Sequence, residues 1–118
     1  MRDAIGLLEA KRDQPFFIGV GFRRPHAAWI APKKYFDLYP LASSRLPDPG
    51  PREGVPPLAL TNPKPNYGVP EDMLKMLQAY YASTTFMDAQ LGRLLAALER
   101  TGHAANTIIV YAADSGVA

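Results

Sequence analysis

Residues 16–26 read Phe-Phe-Ile-Gly-Val-Gly-Phe-Arg-Arg-Pro-His. The first part, Phe16 to Gly21, is an unbroken apolar run rich in aromatic and β-branched residues, the composition of a strand buried on both faces. The second part turns abruptly polar. Arg23, Arg24 and His26 follow the strand, and Pro25 stops the chain from continuing as strand or helix. In an open α/β sheet, ligand groups collect where strands end at their carboxyl edge. The rest of the chain is read outward from this edge.

A second apolar run, Asn106 to Ala113, ends at Asp114-Ser115-Gly116. Between the two runs, Glu71 to Arg100 carries Met73, Met76, Leu77, Tyr80, Tyr81, Thr84, Met87, Leu91, Leu94, Leu95 and Leu98 at helical spacing. Pro70 and two acids suit the helix start; Arg100-Thr101-Gly102 suits its end, with glycine at C′. The Met and Tyr stripe is read as core, not cofactor contact. Strand, helix, strand is a βαβ unit, so the two strands are expected to be parallel with a right-handed crossover. Their carboxyl ends would then place His26, Arg23, Arg24 and Asp114 in one neighbourhood.

The remaining elements are shorter. Arg2 to Lys11 reads as a helix with Ile5, Leu7, Leu8 and the Lys11 stem on its apolar side. Pro32 to Tyr39 reads as one or two helical turns pinned by Tyr35, Phe36, Leu38 and Tyr39. Leu41 to Pro70 contains eight prolines and three glycines, which rule out a helix and leave a long surface loop. Val55, Leu58 and Leu60 are expected to lie against the body.

Composition bounds the function. With 118 residues, 47% hydrophobic and 20% charged, the chain suits one folded domain. A net charge of +2, from 13 basic and 11 acidic residues, gives no argument for nucleic acid. Absent cysteine excludes disulfides, thiolate metal sites and cysteine nucleophiles. No apolar run approaches the ~20 residues of a membrane span, and Met1-Arg2-Asp3 opens no signal peptide.

The chemistry-bearing residues admit two readings each. Asp114, at a strand tip, suits a hard divalent cation or the capping of the next element. His26 suits a hydrogen bond to an anion or a general acid, or a structural bond to a carbonyl. Arg23 and Arg24 suit bidentate capture of an anion, or solvent. His103 is expected at the surface near a helix C-terminus, and Ser43 and Ser44 as turn residues.

Together these residues carry a resemblance. Pro15-Phe-Phe-Ile-Gly-Val-Gly-Phe-Arg-Arg-Pro-His26 resembles the PFFLAVGFHKPH segment of the sulfatase family, in its iduronate-2-sulfatase-like branch. The segments Ala31 to Tyr39, Gly54 to Ala59, Tyr80 to Arg93 and Asn106 to Asp114 resemble later family segments, in the family's order. The resemblance implies an α/β fold, part of an alkaline-phosphatase-like parallel-sheet sandwich, and hydrolysis of sulfate esters on a sulfated small molecule or sugar. It implies calcium at the sheet edge, with Asp114 as a metal ligand and Ser115 where the family has His or Asn. It makes His26 the catalytic residue near the scissile sulfate. Arg24 stands where the branch often has lysine and, with His26, would bind substrate. Ala27-Ala28-Trp29 replaces the usual x-Pro-Phe.

The family nucleophile is a formylglycine made in a Cys-x-Pro-Ser-Arg motif, absent from these 118 residues, as is the upstream pair of metal-binding aspartates. Residues 1–118 are therefore expected to be part of a catalytic domain, without the nucleophile region and the C-terminal part, and to turn over no sulfate ester alone. The alternative is a non-catalytic truncated-gene product or an anion-binding module. Family members are usually periplasmic, secreted or lysosomal.

Overall fold

A computed structural model of the chain describes residues 2–10, 14–48, 50, 53–60 and 70–113. Four α-helices are formed: α1 (Arg2–Glu9), α2 (Lys33–Phe36), α3 (Pro57–Leu60) and α4 (Pro70–Arg100). Two 3-10 turns, Leu41–Ser43 and Ala104–Asn106, complete the regular structure among the described residues. The chain divides into two compact units, Met1–Gly21 with Ala89–Ala118, and Phe22–Asp88. Helix α4 begins in the second and finishes in the first.

In the first unit the core is Leu8, Ala97 and Leu98, with Ile5, Phe16, Ile18 and Leu94 packed on it. The i, i+3 spacing of Ile5 and Leu8 puts both on one face of α1. Leu7 falls off that face and is exposed. An ion pair joins Arg100 to Glu9. The end of α4 is a Schellman motif: the N–H of His103 donates to the Leu98 carbonyl at 3.2 Å, and that of Gly102 to Glu99 at 2.9 Å. The motif requires a left-handed residue at C′, and Gly102 supplies it with φ +77°.

The two expected strands are not formed as strands. Residues 16–21 and 107–113 carry no strand pairing among the described residues. A strand is defined by a hydrogen-bonded neighbour, and high β propensity cannot supply one. The alternation is still visible in the first segment, where Phe16 and Ile18 pack on the core and Phe17 is 95% exposed. In the second, Ile108 and Val110 are 92% and 84% exposed. The burial on both faces expected of these runs is thus not reached, and no sheet is made by the described residues.

In the second unit the face of α4 is aromatic. Tyr81 meets Tyr39 at 5.4 Å between ring centroids, and Phe86 meets Tyr35 at 5.3 Å. Tyr39 and Thr85 share a hydroxyl–hydroxyl hydrogen bond of 2.6 Å, and Gln78 Nε2 donates to the Tyr39 carbonyl at 2.7 Å. These contacts fix the turn after α2. Tyr35 and Tyr39 pin it as expected; Leu38 does not and is exposed. Ala82 and Ser83 are fully buried on the same helix.

The proline-rich stretch departs from expectation. Pro57 opens α3 instead of forbidding it, because a first-turn N–H has no intrahelical acceptor to lose. Pro40 likewise precedes the 3-10 turn Leu41–Ser43, whose Ser43 N–H returns to the Pro40 carbonyl at 3.1 Å. Val55 and Leu58 are exposed.

Candidate functional site

The loop that follows Gly21 belongs to the second unit and is bonded to itself. The peptide N–H of His26 donates to the Arg23 carbonyl at 2.9 Å, closing a turn. The peptide bonds Arg24–Pro25 and Ala27–Ala28 are cis. Beyond that turn, each carbonyl from residue 25 to residue 28 accepts from a side chain of the same loop. Trp29 Nε1 donates to Pro25 at 2.7 Å. Arg24 Nη1 donates to His26 at 3.3 Å and to Ala28 at 2.7 Å. His26 Nδ1 lies 2.6 Å from the Ala27 oxygen.

This pattern decides which atoms face outward. A carbonyl oxygen only accepts, so the Ala27 contact places a proton on His26 Nδ1. The exposed ring then offers Nε2, as an acceptor when neutral and a donor when protonated. Arg24 has five N–H donors. Its Nη1 hydrogens go to the two carbonyls; Nε and Nη2 have no partner among the described residues, and they form one edge of the guanidinium fork.

The electrostatics follow from sequence. Between Gln14 and Phe36 there is no acid, while Arg23, Arg24, Lys33 and Lys34 fall within twelve residues. Lys33 is paired to Asp37. The loop is therefore a cationic stretch with a histidine at its turn.

Asp114 and Ser115 lie outside the described residues, so their meeting with His26, Arg23 and Arg24 at one sheet edge is not part of the observed site. Among the described residues no group of three His, Asp or Glu side chains stands together to hold a metal. The residues expected to hold a calcium ion, Asp114 and Ser115, are not among them. No helix among them is long and apolar enough to cross a membrane. His103 departs from the expected surface position: it is half-buried, in an edge-to-face contact with Phe16 at 5.3 Å between ring centroids. Trp29 was legible only as a family departure. It is half-buried and stacks edge-to-face on Tyr80, at 5.9 Å and 84°. Its place as the sole tryptophan beside a basic loop is the one available signal.

A family model described as Sulfatase matches residues 1–118. The chain belongs to the sulfatase family. A sulfatase of Formosa agariphila is 39% identical over 87% of this chain and 22% of that protein. The iduronate 2-sulfatase of Homo sapiens is 38% identical over 96% of this chain and 24% of that protein, in line with the expected branch. An arylsulfatase of Clostridium perfringens is 34% identical over 87% of this chain and 22% of that protein. The sulfatase chain thus spans less than a quarter of the length of these curated relatives. No solved structure matches it. Sulfatase membership implies an alkaline-phosphatase-like fold, whose sheet the described residues do not form.

Proposed function

We propose that this chain is a section of a sulfuric ester hydrolase, and that the loop of residues 23–29 is its sulfate-facing part. One observation carries the proposal: the loop spends its own side chains on its own carbonyls so that His26 Nε2 and the Nε/Nη2 edge of Arg24 are left over. The family match and the relatives' names as sulfatases support the reaction type. A sulfated small molecule or sugar is the substrate class.

In that reaction the bond between sulfur and the ester oxygen breaks and an alcohol leaves. A protonated His26 donates from Nε2 to the departing oxygen, which is general acid catalysis worth typically about 10²–10⁴-fold. The free edge of Arg24 holds non-bridging sulfate oxygens by two parallel charge-assisted hydrogen bonds. The nucleophile is not among these 118 residues, which contain no cysteine. We extend the proposal to Asp114 as one oxygen ligand of a calcium ion, with Ser115 beside it, in a parallel sheet completed by other parts of the catalytic domain.

The encoding DNA and the protein expressed from its whole reading frame test this. An in-frame Cys-x-Pro-Ser-Arg upstream is expected, together with hydrolysis of a chromogenic sulfate ester that His26→Ala lowers at least about 10²-fold in kcat. An intact flanking frame without that motif, or full activity in His26→Ala, would overturn the reading.

A further inference from the structure

We propose that Trp29 is a positioning residue for His26. The inference rests on the reading of His26 as the group that faces the ester. Trp29 closes the loop at both ends of its indole. The pyrrole N–H donates to Pro25, the residue before His26, and the ring packs edge-to-face with Tyr80 on α4. The span between Pro25 and Trp29 holds the Ala27 carbonyl, which fixes the proton on His26 Nδ1.

Removing the indole N–H leaves the Pro25 oxygen without its donor and residues 26–28 held only by Arg24 and by the His26 N–H bond to Arg23, so the span loosens. The Ala27 carbonyl then no longer meets Nδ1 in one geometry, and the imidazole samples both tautomers. Nε2, the nitrogen that faces the ester and is unprotonated in the neutral ring, becomes a mixture of protonated and unprotonated forms. Trp29 touches no substrate in this account; it acts through the carbonyl that selects the tautomer. A side chain that only filled space would leave the tautomer unchanged when replaced by phenylalanine.

The test is imidazole nitrogen NMR on the 118-residue protein labelled with ¹⁵N-histidine, at a pH where both rings are neutral. The chain has two histidines, so His103, half-buried against Phe16 in the other unit, serves as the control for folding. His26 is expected as the Nδ1–H tautomer in the wild type, and Trp29→Phe should shift it to a mixture of tautomers while His103 stays put. An unchanged His26 signature in a folded Trp29→Phe would overturn the proposal. Should that variant fail to fold, the wild type decides. An indole N–H protected from exchange together with Nδ1–H on His26 supports the proposal; an indole exchanging at the solvent rate, or a proton on Nε2, contradicts it. Neither readout involves a sulfate ester, so it stands or falls separately from the reaction assigned above.

Discussion

Arg24 Nη1 donates to the carbonyl oxygen of Ala28 at 2.7 Å, reaching forward across four positions of its own loop. One corner of the guanidinium is thereby committed to structure, and the opposite edge is oriented. A lysine in this place cannot do both, since one ammonium replaces a rigid planar fork. Arg24→Lys is expected to weaken binding of inorganic sulfate by about tenfold or more, because hydrogen bonds to charged groups are worth about 1.5–3 kcal/mol. Isothermal titration checks this. Equal affinity for both proteins would show that the fork is not used.

Ser83 is fully buried and its Oγ has no hydrogen-bond partner among the described residues. A buried hydroxyl left unpaired costs about 1–3 kcal/mol. Ser83→Ala removes that atom without adding bulk, so stability should rise by about 1 kcal/mol. The urea midpoint should move up with an unchanged slope. A lower midpoint would mean that the hydroxyl is satisfied.

Among the described residues, the first unit is held by three buried apolar side chains, Leu8, Ala97 and Leu98. Leu98→Ala opens a cavity where α1 and α4 meet inside that unit, and buried leucine truncations cost about 2–5 kcal/mol. Hydrogen exchange should show loss of protection throughout α1. Unchanged protection there would refute this core as the unit's support.

At the start of α4, the hydrogen bond from Lys75 to Glu71, a 2.8 Å ion pair, holds the Glu71 carboxyl below the usual carboxylate range. The same pairing raises Lys75. The carboxyl is depressed in the folded state, so its contribution is present above its unfolded pKa and is lost as pH falls through the folded value. Lys75 behaves in reverse at high pH. Both groups are exposed, so the effect should weaken with salt. A side-chain NMR titration of Lys75→Met should find Glu71 moved up toward its ordinary value. An unmoved midpoint would remove the pair as the cause.

How far this was legible in the sequence differs by element. Helix α4 and its Schellman end were readable because both depend on neighbours within a few positions: a 3.6-residue apolar repeat and a glycine at C′. The strands were not, because pairing depends on a distant neighbour, and Phe17 and Ile108 stand exposed where that neighbour was assumed. Pro57 escapes the composition rule because proline breaks a helix interior but is accommodated in its first turn. At the site, the switch from apolar run to Arg24 and His26 marked the loop. The use of Trp29 did not show, since a bond to the Pro25 carbonyl exists only once the loop has turned.

The most direct measurement follows His26 and Arg24 side-chain nitrogens while the 118-residue protein is titrated with inorganic sulfate and with a sulfated monosaccharide. Saturable shifts at both residues, abolished by His26→Ala and absent with the unsulfated sugar, are what the account predicts. Shifts that do not saturate, or Arg24 shifts that persist unchanged in His26→Ala, would contradict a sulfate-facing loop.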